Sequence, residues 1–584
     1  MKNKSGKICS IVIIVIFSLY YIWYCNSTMI ELPFLTWFRQ IPLAELFFSG
    51  NLEVKDLFSK FGEHGMLANN IIYLINVRFF HGSTLIDVYI NDFNVIVTGC
   101  IFAYCTAKTI ENNITKCLCI LTEAIFLFGC MQGSSGAMET QVRLGVLFFV
   151  VVMIFVDKEL REEKVCIAHL MITIGIIFLS INVFGTLYSF AGVPLVWFIV
   201  CFGILKNKKN LKKNIAIAVT YITTIPLYIA EYQLIISKNE EDTISLLVKV
   251  KNLILGFFSW CANGCLGYAV YEISNSKIWL WLGFTISLII IISIVLFFYC
   301  KMYQKTWIPL MGIMYSFGVY VMVFIGRSEA WGWFANEWYT VHIKMMAASS
   351  IWIYIYAFSL HKCKRWITIG GVMVLCLAGI TGNAYTLKRA PFVKAWYEEK
   401  QKYLFVQDAD DMPVDSAGDT PLLASMEETM DSISILKKYN LSVYRYYNMY
   451  EKAQFKGTYE YFYKLSDAAS QIGNTLDSCV KEYGYYADGW VEKKSQVLIK
   501  TGEEGKVDIE IYYPQDNFDD KQVKIYINDN LNSTVEIQQN NQTISVDVAP
   551  NQIVCLRLET NFLIDNTGVD TRELAMIISS MQGR

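Results

Sequence analysis

Carboxylates, cations and aromatic rings gather at a few points of an otherwise apolar chain, and their types fit the transfer of a group from a lipid-anchored phosphate. Such a reaction needs a carboxylate to take a proton from the acceptor hydroxyl and cations to stabilise the departing phosphate. Glu31 is the leading base, because it follows the first hydrophobic run closely, at interfacial depth, with rigid Pro33 just beyond it. Glu63 is the second carboxylate, and its neighbour His64 is a candidate for contact with substrate or with a metal. Arg327, Lys344 and Arg143 are the cations for the phosphate. Glu139 precedes Arg143 at the spacing that puts both on one face of a helix. Arg327 opens a stretch dense in Trp331, Trp333, Phe334, Trp338 and Tyr339. A guanidinium there can hold phosphate bidentately while rings pack on a prenyl chain or stack on sugar faces. Glu329 and Glu337 flank that stretch as secondary acids.

Each of these residues also has a plainer reading. Glu31 fits a solvated interfacial charge or a helix cap. Glu63 and His64 are adjacent, so on a helix they would point about 100° apart and could not face one ligand together. His64 also fits a structural hydrogen bond to a neighbouring helix. Glu139 and Arg143 are most simply an ion pair, and Arg327 with its rings matches an interfacial aromatic belt with a snorkelling cation.

The elements that must position these groups are membrane spans. With 584 residues, 54% of them hydrophobic and only 17% charged, the chain is too apolar for a soluble enzyme of its size. A formal charge of -2 points to neither nucleic acid nor an acidic partner. Apolar runs of bilayer length are expected near 8–25, 88–107, 115–131, 143–157, 165–182, 187–205, 214–235, 278–300, 307–326, 343–360 and 366–384, about eleven crossings. The amino-terminal run lacks a small-residue cleavage site after Cys25 and reads as a retained signal anchor. Residues 252–272, with Gly256, Gly264, Gly267 and polar Asn263, read as a re-entrant or interfacial element, and a true span is the alternative.

Basic clusters orient the spans. Lys2, Lys4 and Lys7 form one, and Lys158, Arg161 and Lys164 a second. Lys206, Lys208, Lys209, Lys212 and Lys213 form the strongest, followed by Lys301 with Lys305 and by Lys362, Lys364 and Arg365. The positive-inside rule puts all of them in the cytoplasm. The amino terminus is then cytoplasmic in a multi-pass cell-membrane protein, and the first loop (26–87) and everything after residue 384 lie outside. Residues 1–384 form the membrane domain that should hold the chemistry.

Composition changes sharply beyond residue 384. Residues 385–480 are a helical linker region, with Leu-rich patterning from Met426 to Tyr439, and 481–584 alternate with period two. Runs such as Val507-Asp508-Ile509-Glu510-Ile511 and Val523-Lys524-Ile525-Tyr526-Ile527, bounded by turn residues, predict a β-sandwich.

Two resemblances cover most of the chain. The string Asp488-Gly489-Trp490, Tyr512-Tyr513-Pro514, Ile525-Tyr526-Ile527-Asn528-Asp529 and Asp570-Thr571-Arg572-Glu573-Leu574 resembles a β-sandwich module appended to bacterial envelope glycosyltransferases. The membrane part resembles multi-spanning GT-C-type glycosyltransferases, on Glu31-Leu32-Pro33-Phe34 after the first span, on Glu63-His64-Gly65, and on Gly326-Arg327 with Trp338-Tyr339. Gly65 stands where related proteins have Arg, and a second Arg is missing before Tyr339, so no phosphate role is carried over to those two places. The resemblance implies a polyprenyl-phosphate sugar, anchored in the membrane lipid, as donor and a surface glycan as acceptor, both handled on the outer side of the membrane. The sequence requires no cofactor and leaves room for a divalent metal.

Of 16 cysteines, all but Cys479 and Cys555 fall in or beside spans, where thiols behave as small apolar groups. Those two are candidates for one disulfide. A flippase or transporter of lipid-linked glycans, and a scaffold that displays its sandwich to surface polymer, are the competing classes. A transporter would carry polar residues deep in several spans.

Overall fold

The computed structural model describes residues 2–61, 64–132, 137–161, 166–183, 211–231, 245–328, 330–361, 364–405, 412, 414, 418–446, 480–485, 490–527, 530–550, 553–564 and 574–584. The expected span at 187–205 lies outside them, as do Glu63, Glu329, Cys479, Lys206, Lys208 and Lys209. The described chain divides into two units. One comprises Met1–Met29, Gly50–Leu74 and Leu85–Pro391, and the other Ile30–Ser49, Ile75–Thr84 and Phe392–Arg584.

The first unit is helical. It contains α1 (Lys2–Thr28), and the chain then passes through α2 (Thr36–Ser49) of the second unit to a small hairpin of β1 (Lys60–Phe61) and β2 (His64–Gly65). α3 (Leu67–Phe80), α4 (Thr84–Thr109), α5 (Asn113–Leu127), α6 (Ala137–Arg161), α7 (Ile167–Asn182) and α8 (Leu211–Glu231) follow. After them come α9 (Leu246–Leu266), α10 (Tyr268–Ile273), α11 (Ser276–Tyr299), α12 (Ile308–Gly326), α13 (Thr340–Ser359) and α14 (Arg365–Gln401). Among the described residues, seven helical segments are long and apolar enough to cross a membrane: Ile8–Thr28, Thr84–Thr109, Glu139–Arg161, Ser276–Tyr299, Ile308–Gly326, Glu337–Ser359 and Arg365–Tyr397.

The sequence predicts about eleven crossings; beside the run at 187–205, outside the described residues, three are shorter or more charged among the described ones. The expected span 115–131 is the 15-residue α5, which ends at Phe128 and gives way to a 3-10 turn at Cys130–Gln132. That at 165–182 is the 16-residue α7, and that at 214–235 falls in α8, which opens with Lys212 and Lys213 and ends on Glu231. α5 and α7, as described, are shorter than the length a hydrocarbon layer asks for, and α8 carries two lysines in its first turn. α13 is the most enclosed of the seven, with Thr340 to Ala357 all buried, so it forms the centre around which the others pack.

α9 is one continuous helix through Gly256 and Gly264, and it breaks at Gly267, whose φ of 73° suits glycine. Asn252 and Asn263, near its two ends, both bond the segment that joins α12 to α13, at the Ser328 and Asn336 carbonyls. The helix therefore lies along that segment instead of running to the opposite end of the bundle. Its close approach to α11 depends on Gly283, where a Cβ would stand 2.0 Å from the Phe258 carbonyl oxygen. Small residues at such crossings let backbones meet.

The second unit holds α2, α15 (Met426–Tyr439) and the strands β3 (Val480–Tyr485), β4 (Trp490–Lys500), β5 (Lys506–Tyr512), β6 (Gln522–Ile527), β7 (Asn530–Glu536), β8 (Asn541–Asp547), β9 (Ile553–Thr560) and β10 (Met576–Gly583). α15 starts where the Ser425 hydroxyl accepts the Glu428 N–H and stops at Asn440, in the left-handed region. It packs on α2, where Ser432 donates to the Phe38 carbonyl and Tyr439 stacks on Phe48. The strands form one antiparallel sheet in the order β7-β6-β9-β4-β10-β5-β8, with β3 also on β4. The sheet nearly closes, since Asn532 of β7 donates to the Asp547 carbonyl of β8. The period-two pattern turns Val507, Ile509, Ile511, Val523 and Ile525 into a single core with Leu556, Leu558 and Tyr513. The expected boundary at 384 falls within α14, which runs unbroken past it.

Gly283→Leu should lower the thermal unfolding midpoint of the detergent-solubilised protein, because the Phe258 backbone cannot yield without separating α9 from α11. An unchanged midpoint would contradict this close contact.

Candidate functional site

Polar side chains that an apolar bundle would ordinarily exclude converge where α1 and α5 end and α4, α6 and α13 begin. Arg143 of α6 is 1% exposed. Its Nη1 donates to the Tyr21 hydroxyl of α1 at 2.7 Å, and its Nε lies 3.8 Å from the Glu139 carboxylate one turn earlier. Asp92 of α4 and Cys25 of α1 are within its electrostatic reach. Lys344 of α13 is 2% exposed and donates to the Leu127 carbonyl at the end of α5. Arg143 and Lys344 line one crevice with Asn94, Thr98, Val95, Val146 and Val341, and the crevice is narrower than a water molecule.

A second group adjoins it. His342, also on α13, shares a 2.8 Å hydrogen bond with the Tyr315 hydroxyl, and Lys344, Arg143 and His64 all act on its ring electrostatically. His64 is held by its neighbour's backbone: the Gly65 N–H donates to the Tyr228 hydroxyl of α8, and the Gly65 carbonyl accepts from the Gln141 side chain of α6. Burial, with the positive charge of Arg327 added, pushes the His64 imidazole down to about 4, so it is neutral at neutral pH. The Arg327 guanidinium lies 4.6 Å from the centre of the Trp333 ring and hydrogen-bonds the Tyr339 hydroxyl.

The loop carrying these rings is braced from α9. Asn263 donates to the Phe334 and Asn336 carbonyls and accepts from the Thr340 hydroxyl, so its amide is fully used. Gly256 lets the Phe334 ring lie against the helix, where a Cβ would come within 2.7 Å of it, and Trp260 packs on Tyr320, Phe334 and Tyr339. On the other flank Arg389 pairs with Glu337 at 3.2 Å and with Glu272 at 2.9 Å.

Seven of the candidates read from sequence thus fall into two sets. His64, Arg327, Trp333 and Tyr339 come together, as do Glu139, Arg143 and Lys344, and His342 links the two. Trp331 is half-buried at the start of the 3-10 turn Trp331–Ala335. Glu63 and Glu329 lie outside the described residues, and Glu337 is taken up by Arg389. Glu31 belongs to the second unit, where its carboxylate accepts from the Ser83 hydroxyl at 2.7 Å, the Ser442 hydroxyl at 2.9 Å and the Thr84 N–H at 3.1 Å. Its bonds to Ser83 and Thr84 and to Ser442 all lie within the second unit and tie that short stretch to the segment after α15.

Sequence reasoning passed over Asp92, Asn94 and His342. The signal of Asp92 and Asn94 was present, because polar and ionisable residues inside an expected span mark functional positions by default, and His342 stands one residue before another. Among the described residues no group of three or more His, Cys, Asp and Glu side chains is placed to hold a metal ion. Comparison with protein-family models, with curated proteins and with solved structures returned no match.

Two outcomes are expected. Glu31→Ala strands three donors and should cost roughly 1–3 kcal/mol of stability, seen as a lower unfolding midpoint in detergent. An unaltered midpoint would remove the capping role. His64 binds a proton more weakly folded than unfolded, so stability should rise with pH between about 4 and 6.5. His64→Asn should flatten that slope, and a slope that stays as steep would show that other groups cause it.

Proposed function

We propose that the chain is a membrane glycosyltransferase that moves a sugar from a polyprenyl-phosphate carrier to a cell-surface glycan on the extracytoplasmic side. The observation that supports this reading best is the burial of two cations, Arg143 and Lys344, on one crevice at one end of an apolar bundle. Taking a cation out of water costs several kcal/mol, and an anionic ligand offsets that cost. A phosphate joined to a prenyl chain would meet both cations once the helices around the crevice part, since the crevice as it stands admits no water. The Arg327 loop, with a guanidinium beside Trp333 and Tyr339, supplies surfaces of the kind on which sugar faces stack.

In this reading the amino terminus is cytoplasmic, as the basic clusters imply, and the carboxyl-terminal β-rich domain is extracytoplasmic, where it would hold the acceptor polymer or a partner enzyme. The reaction would be of the GT-C type, with Glu31 or another carboxylate as the base. A transporter of lipid-linked glycans is the second reading, favoured by the buried Asp92, Asn94, Arg143 and Lys344 on three spans. Against it, all four stand in roughly the first three turns of their helices, at one end.

Purified full-length protein should release radiolabelled sugar from at least one member of a panel of synthetic polyprenyl-phosphate sugars. Arg143→Met and Lys344→Met should each weaken donor binding by about tenfold or more, the loss of one charge-assisted contact. Binding of every lipid with release of no sugar would move the transporter reading ahead.

A further inference from the structure

We propose that Cys9 and Cys117 form a redox-sensitive pair, which a small disulfide such as oxidised glutathione closes into a bond between α1 and α5. Small residues bring the two helices together at their first turns. The Ser10 hydroxyl donates to the Gly6 carbonyl at 2.9 Å, and a Cβ on Gly6 would stand 2.6 Å from the Asn113 side chain. The Cys117 thiol donates to the same carbonyl at 3.6 Å, lies 3.8 Å from the Ser10 hydroxyl and shares a hydrogen bond with the Cys9 thiol. Farther along α1, Tyr20 meets Cys130 beyond the end of α5 at 3.2 Å, so the helices run in the same direction. Both sulfurs are free thiols, Cys9 exposed and Cys117 half-buried. A disulfide asks for sulfurs about 2 Å apart, and from hydrogen-bond contact a rotation of the two side chains closes that gap.

Lys2, Lys4 and Lys7 precede Cys9, and Lys305 pairs with Glu111 just ahead of α5 at 3.3 Å. Two basic clusters thus stand at this end, the one read as cytoplasmic. Thiols are kept reduced in that compartment, and the disulfides that do form there are transient and redox-sensing. Exposed Cys9 is the attacking group. Its thiolate displaces one thiolate from the small disulfide to give a mixed disulfide, and Cys117 then attacks the Cys9 sulfur and releases the second. The two cysteine sulfurs are oxidised, the small disulfide is reduced, and both protons pass to the released thiolates. Excess small thiol reverses the exchange. The bond joins the helices that hold both buried cations, since the Tyr21 hydroxyl of α1 accepts from Arg143 and the Leu127 carbonyl of α5 accepts from Lys344. It forms at the opposite end of those helices, whatever the bundle transfers.

The test uses the full-length protein in detergent, equilibrated in buffers of graded oxidised-to-reduced glutathione, then alkylated, digested and mapped by mass spectrometry. Oxidation should yield a peptide pair linked through Cys9 and Cys117 within one chain, and reduced glutathione should restore both thiols. Exposed Cys166 should stay out of the link. Cys9→Ser and Cys117→Ser should each lose the linked pair, and Cys117→Ser should keep glutathione on Cys9, because no second thiol releases it. Both thiols alkylated at every ratio would overturn the proposal. So would a Cys9 glutathione adduct that persists in the wild type, or a Cys9 link between two chains on a non-reducing gel. Should a serine variant fail to fold, the map of the wild-type protein decides by itself.

Discussion

The first unit is organised by the cost of burying Arg143. A guanidinium with 1% exposure inside an apolar bundle must find partners, and they come from three helices: Tyr21 on α1, Asp92 on α4 and Glu139 on α6. Truncating one partner of such a group leaves charge unpaired, which is far more costly than losing a surface ion pair. The helices are therefore tied at one end by a charge whose partners are shared. Lys344, His342 and the crevice follow from the same arrangement, because the heart of the bundle, α13, begins beside it.

The second constraint is the fixing of the aromatic segment between α12 and α13. An irregular backbone at membrane depth needs its carbonyls satisfied by protein. Asn252 and Asn263 do this from a single helix, and Gly256 and Trp260 seat Phe334 between them. Arg327 and Tyr339 stand at the two ends of a segment held in this way. The pairing of Arg389 with both Glu272 and Glu337 closes the opposite flank.

In the second unit the same logic is applied to Glu31. Its carboxylate joins Ser83 and Thr84 to Ser442 within that unit, so a residue whose type and position suggest catalysis also fastens two parts of the chain distant in sequence. The nearly closed sheet needs no such clasp. Its alternation sends the branched apolar side chains inward and the charged ones outward, and the Asn532 side chain bridges from edge strand β7 to edge strand β8.

How much was legible in the chain depended on the range of the forces involved. Apolar runs and period-two alternation are properties of neighbours in sequence, so the helix at Met426–Tyr439, the principal spans and the strands at 507–512 and 523–527 could be read directly. Seven of the expected crossings stand among the described residues as helices of membrane length, and hydrophobicity alone does not say where the shorter apolar helices stop. Among the polar residues, composition marked Arg143, Lys344, Arg327 and His64 as out of place without saying which would meet. Asp92 escaped notice inside a strong apolar run. The sequence by itself determined that the chain is built of membrane-length helices followed by a β-rich domain, since burial of apolar surface depends on local pattern. Only the tertiary structure decided that Asp92 faces Cys25 and that Glu31 is held by Ser83 and Ser442, because hydrogen bonds and buried charges choose partners that folding brings from distant parts of the chain.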